Sequence, residues 1–226
     1  MRIAIALIIT LALTTTVQAQ EKEFSFNDIS WDLSPAQLMA RLKADDLFQN
    51  VQYQTDVNDD RFEHSVASLF RGLRMRLQDD FEELNGMVEE TGTVVYEIYC
   101  NIDHPLLTRV RFYIGKDTGK LVCCKVDGRK IECDGTFIEC QFVQSILEKY
   151  GKPAAAWIAP EDSIATQDLM KWDNGKQMLI ITNWRFLQIN YYSIENIRAV
   201  GDVGKAKRIE ELKEKDQKAE GMGDLF

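Results

Sequence analysis

Residues 93–126, TVVYEIYCNIDHPLLTRVRFYIGKDTGKLVCCKV, decide the fold class. Val94, Tyr96, Ile98, Cys100 and Ile102 fall on one face. Val110, Phe112 and Ile114 do the same, and then Val122, Cys124 and Val126. A repeat of two marks a strand with one buried side. The other side carries Glu97, Asn101, Arg109, Arg111 and Lys125, and is expected to be solvated. Asp103-His104-Pro105 and Lys116-Asp117-Thr118-Gly119 are short links, so the three strands form an antiparallel meander.

Helices are expected to cover the apolar face. Ser34, Pro35 and Gln37 compose a capping box with proline at the first helical position, ahead of Leu38, Met39 and Leu42. Val51 to Thr55 reads as a short strand. Phe62, Val66, Leu69, Phe70, Leu73, Leu77, Phe81 and Leu84 recur at steps of three and four, which predicts a long amphipathic helix from about Asp59 to Asn85. Asp127-Gly128 reads as a hairpin turn, with Arg129 to Cys133 returning as an edge strand. Thr136 and Glu139 open a second capped helix, with Ile138, Phe142, Val143, Ile146, Leu147 and Tyr150 on its apolar side. A second meander runs from Asp168 through the Asn174-Gly175 turn, out along Gln177 to Thr182 and back along Trp184 to Tyr192. Ser193 to Val200 begins a last helix, interrupted by Gly201 and Gly204, and Lys205 to Glu220 is charged and helix-forming.

The expected fold is α+β: an antiparallel sheet in two meanders packed against the long helix and the second capped helix. Residues 20–200 form the domain, either as one unit or as two helix-plus-meander halves, 20–133 and 134–200. Residues 201–226 form a charged helical or disordered tail.

Residues 1–19 read as a signal peptide. Arg2 precedes the apolar run Ile3 to Leu13, and Val17-Gln18-Ala19 suits cleavage before Gln20. The run is too short for a membrane span, and no later stretch is apolar enough to be one. The expected location is outside the cytoplasm, in the periplasm. The 226 residues carry a net charge of −9, and removal of Arg2 makes it −10. Such a balance argues against nucleic acid or anionic lipid as partner.

Five cysteines follow, at 100, 123, 124, 133 and 140. An oxidising compartment permits disulfides, and Cys133 and Cys140 are the best-placed pair. Cys100 and Cys124 are separated by a strand, about 10 Å by strand spacing, beyond disulfide reach. Cys123 points away from the apolar face and is the candidate exposed thiol. His64 and His104 have no sequence-local partners of a catalytic kind, and no nucleophile elbow, zinc helix or phosphate loop is present. Asp56, Asn58 and Asp60 open like a calcium loop, but Arg61 and Ala67 stand where glycine and glutamate should follow. No metal or cofactor is expected. Tyr150, Trp172, Trp184 and Tyr191 gather around the second meander and are the candidate ligand- or partner-binding residues, with core filling as the alternative account.

The stretches Ile29-Ser30-Trp31-Asp32-Leu33-Ser34-Pro35 and Leu147-Glu148-Lys149-Tyr150-Gly151-Lys152-Pro153, the latter followed by a Trp172 hairpin, resemble small exported bacterial proteins of unassigned role. Similar helix-then-meander modules occur in small outer-membrane assembly lipoproteins of the SmpA/BamE type. The likeness covers about a fifth of the chain and consists mostly of caps and turns. The chain departs from that type in lacking a lipid-attachment cysteine and in having the extra long helix. The resemblance implies a non-catalytic envelope protein and transfers no functional residue. Three readings follow: a non-enzymatic interaction or assembly module with a protein partner in the envelope, a binder of a small or apolar ligand near the second meander, or a thiol enzyme acting through Cys123. The sequence assigns no oligomeric state.

Overall fold

The computed structural model describes residues 23–54, 64–65, 94–158 and 168–223. The described strands are β1 (Phe48–Gln54), β2 (His64–Ser65), β3 (Val94–Ile102), β4 (Leu107–Gly115), β5 (Leu121–Gly128), β6 (Ala155–Trp157), β7 (Asp168–Asp173), β8 (Gln177–Asn183) and β9 (Leu187–Ser193). They pair antiparallel in one sheet of order β1-β3-β4-β5-β9-β8-β7-β6, with β2 also beside β3. The helices are α1 (Pro35–Lys43), α2 (Gln141–Tyr150) and α3 (Ile194–Gly223). The fold is α+β.

The two meanders are joined by β5 and β9, where Cys124 faces Tyr191 and Val126 faces Ile189. One row therefore crosses seven strands: Tyr53, Ile98, Phe112, Cys124, Tyr191, Leu179 and Trp172. All lie on the first face, where Leu38 and Leu42 of α1 and Val143 of α2 complete the main core. A fully buried leucine contributes about 1.5–3 kcal/mol, so α1 is held mainly by its two core leucines. Its start is local: Gln37 N–H donates to Ser34 Oγ, and Ser34 N–H donates to Gln37 Oε1 at 2.9 Å.

The second face differs from its expected character. Val95, Tyr113, Val122, Cys123, Met178, Ile180 and Tyr192 form a second core with Ile194, Ile197 and Val200 of α3. Glu97 is buried rather than solvated. Val122 belongs here, not with Cys124, because the β4–β5 register slips between Tyr113 and Ile114 and a bulge gives Leu121 the first-face place. Nor does α3 break at Gly201 and Gly204. Each glycine costs about 1 kcal/mol in a helix interior, and both are buried, so packing outweighs propensity. Asn196 fastens the helix, its Nδ2 donating to Leu121 O at 2.8 Å and Trp31 O at 3.4 Å.

The helix approaches Gly115 closely. A Cβ there would collide with the Val200 side chain and lie 2.7 Å from Thr118 Oγ1. Val200 is stiff at χ1 and cannot swing aside cheaply. Gly115→Ala is expected to cost about 1–3 kcal/mol in urea unfolding, and an unchanged midpoint would refute this packing.

Three further expectations are corrected. Asp127-Gly128 is not a turn: both residues stay in β5, paired with Gln188 and Leu187, and residues 129–133 form no strand. Gly128 serves close approach instead, since a Cβ would sit 2.7 Å from Leu106 O. The Thr136–Glu139 box closes a 3-10 turn at Phe137–Glu139, and α2 starts later, after Cys140 takes an extended conformation. His64 and Ser65 pair with Val95 and Val94 in a strand, so no helix runs through them. The rest of the predicted 59–85 helix, residues 1–19 and the calcium-like 56–60 stretch lie outside the described residues.

Candidate functional site

Tyr150, Trp172 and Tyr191 come together inside the first-face core. Trp172 Nε1 donates to Gly151 O at 2.8 Å, and the Tyr150 hydroxyl donates to Ser25 O at 3.2 Å. Phe24 packs edge-on against Tyr150 at 5.3 Å, and Phe26 meets Tyr191 at 6.3 Å. Phe24 is itself held, its N–H donating to Gln177 Oε1 and its carbonyl accepting from Trp31 Nε1. Burial pushes the Tyr191 phenol well above its ordinary range. The N-terminal segment thus fills the space beside these aromatics, and their polar atoms are already engaged. Trp184 is not with them.

Cys123 is the clear correction. It is fully buried, because α3 covers the face expected to be open. Burial raises its thiol to about 12, so it offers neither access nor thiolate at neutral pH. Cys100 and Cys124 are free and buried as well. Cys133 and Cys140 are joined in a disulfide, with Cα atoms 5.4 Å apart.

On the second face, Asp127 is a buried hub. Its Oδ2 accepts from Arg109 Nε at 2.8 Å, Arg109 Nη2 at 2.6 Å and Arg111 Nη2 at 2.9 Å, while Oδ1 accepts from Gln188 Nε2 at 3.2 Å. Both carboxylate oxygens are occupied by donors from the sheet itself, and the knot reads as structural. Among the described residues, no group of three His, Cys, Asp or Glu side chains is placed to hold a metal ion.

Among the described residues, Ile209 and Leu212 stand exposed on α3, and four other exposed large apolar side chains lie at one end of the sheet. Leu106, Trp157, Trp184 and Phe186 are 36%, 39%, 41% and 47% exposed. They sit at one end of the sheet: Leu106 before β4, Trp184 and Phe186 in the β8–β9 turn, and Trp157 at the end of β6. Register places them along the same end, since Leu107 faces Gly128, Gly128 faces Leu187, Asn183 faces Asp168, and Trp157 faces Leu169. The row from β4 to β6 spans five strand spacings, about 24 Å. Arg185 lies over the Trp184 ring at 4.6 Å.

Beside this end runs a groove of about 640 Å³. Leu106, Leu107, Ile131 and Phe142 give it an apolar lining, and the Cys133–Cys140 disulfide forms part of its wall. Glu132, Asp134 and Glu139 also line it, with His104 and, among the described residues, no lysine or arginine. His104 Nδ1 accepts from the backbone N–H of Leu106 and Leu107 at 3.1 and 3.2 Å, which leaves the proton of a neutral ring on Nε2. Asn183 ties groove to turn: its Oδ1 accepts from Ile131 N and its Nδ2 donates to Ile131 O, both at 3.1 Å.

Of the four aromatic candidates, then, one stands at this end and three do not. Leu106, Trp157 and Phe186 escaped the sequence reading. The available signal was the break of alternation at Trp184-Arg185-Phe186, where two large rings flank an arginine in a turn. No protein-family model matches the chain, and comparison with curated proteins and with solved structures gives no match.

Proposed function

We propose that the chain is an exported, non-enzymatic interaction or assembly module that binds a protein partner in the cell envelope. The carrying observation is that Leu106, Trp157, Trp184 and Phe186 are all exposed along one end of the sheet. Several large apolar side chains exposed along one edge of a folded protein suit a contact surface, and tryptophan is enriched among residues that dominate binding energy. Support for export comes from the apolar leader and its small-residue cleavage site. The small-ligand reading has less support, because Phe24 and Phe26 occupy the space beside Tyr150 and Tyr191. The thiol-enzyme reading lacks an accessible nucleophile in Cys123.

The test is affinity capture from the envelope with the mature chain and with a W184A/F186A variant of unchanged circular dichroism. The variant should retain the fold and lose the captured partner, with affinity falling at least about tenfold. An identical set of captured proteins, before and after the double substitution, would sink the reading.

A further inference from the structure

We propose that the groove beside the aromatic end takes an apolar segment of the partner that is flanked by lysine or arginine. This rests on the reading of that end as the partner surface, and adds the chemistry of what enters it. The volume, about 640 Å³, lies within the range of sites that enclose a few large side chains. Its floor is apolar, through Leu107, Ile131 and Phe142. Among the described residues its carboxylates face no lysine or arginine: Glu132, Asp134 and Glu139 line it, while Arg129 and Lys130, next along the chain, do not. An acidic partner segment would meet three like charges, and a purely apolar one would leave them unanswered.

The acidic wall is also built in place. Thr136 holds Glu139 through Oε2, which accepts from Thr136 N and from Thr136 Oγ1, both at 2.8 Å. These bonds lower the Glu139 carboxyl below its ordinary range, so it stays charged. Gly135 makes room for it: φ there is +127°, and a Cβ would lie 2.7 Å from Glu139 Oε2. The disulfide then closes the turn that carries Asp134 and Glu139 onto the start of α2. A wall fixed by a cap, a glycine and a disulfide needs little ordering when a cation arrives, which favours binding.

The experiment uses the mature full-length chain and two fluorescein-labelled peptides, KRLFLKR and its charge inverse EDLFLED, read by fluorescence polarisation. KRLFLKR is expected to bind saturably and to weaken as ionic strength rises, with EDLFLED at least about tenfold weaker. The exposed double reversal E132K/D134K should invert that preference without changing the thermal midpoint. Phe142→Ser should weaken KRLFLKR binding with the salt dependence retained. Equal binding of the two peptides, no binding of KRLFLKR, or indifference to E132K/D134K would each overturn the inference. Loss of envelope capture in W184A/F186A alongside any of those results leaves the module reading standing and removes only this one.

Discussion

Above pH 9 the protein is expected to lose stability steeply, while between pH 7 and 8.5 it should not. The cause lies in the thiols of the sheet. Cys123 and Cys124 are buried with no disulfide partner, and burial raises Cys123 from its ordinary 9.0 to about 12 and Cys124 well above 9.0. Once the pH passes 9, the unfolded chain sheds these protons and the folded chain keeps them. The unfolded state then binds fewer protons, so unfolding becomes more favourable with each pH step. Stability is intact below 9 and is lost progressively in the window from 9 towards 12. At a pH of about 10.5 the Cys123 thiol contributes a loss of about 2 kcal/mol, and Cys124 adds to it in the same direction. Tyr191 and Tyr192, whose phenols are also raised by burial, steepen the fall above pH 10. Urea midpoints across this range measure it, with C123A/C124A as the comparison. The variant should show a shallower slope, whatever its midpoint at pH 8. A wild-type midpoint that holds flat to pH 10.5, or a native thiol that reacts with Ellman's reagent at pH 8, would contradict the burial of these thiols.

Asp127→Ala is expected to destabilise the fold by about 3–5 kcal/mol, the usual result of removing one member of a buried ion pair. Asp127 is 8% exposed at its side chain, against 43% for Arg109 and 24% for Arg111. Losing the carboxylate strands Arg111 above all, because its Nε already has no hydrogen-bond partner among the described residues. Gln188 also loses its acceptor. Arg109→Ala makes the useful contrast. It removes two hydrogen bonds from the same oxygen, but the deleted side chain was partly exposed, and Arg111 and Gln188 still serve the carboxylate. A cost of about 1 kcal/mol or less is expected there. Chemical denaturation of both variants decides it. If Asp127→Ala proves no worse than Arg109→Ala, the buried hub has no special weight.

The part of this protein legible along the chain is the part set by neighbours within a few residues. Ser34 and Gln37 cap α1 as their spacing demands, and Gly175 takes φ +81° in the β7–β8 turn, where Asn174 Oδ1 accepts from Lys176 N and Gln177 N. The alternation of β3 and β4 put Ile98, Cys100, Val110 and Phe112 on the core side. Errors arose where a distant element supplied the missing term. Asp127-Gly128 has turn chemistry, but β9 pairs with it and two arginines hold the aspartate. Cys123 alternates outward from the first core, but outward leads into a second core under α3.

The candidate site shows the same division. Sequence singled out Trp184 and the Cys133, Cys140 pair, since turn position and spacing are local properties. It could not tell that Leu106, Trp157, Trp184 and Phe186 end up along the same end of the sheet, because that placement comes from the pairing of β5 with β9 and of β6 with β7. Local hydrogen bonding and hydrophobic period determined the strands, the capped start of α1 and the α+β class. Tertiary structure alone decided that both sheet faces carry a core, which thiols are buried and where exposed apolar side chains lie, because burial depends on what the rest of the chain brings alongside.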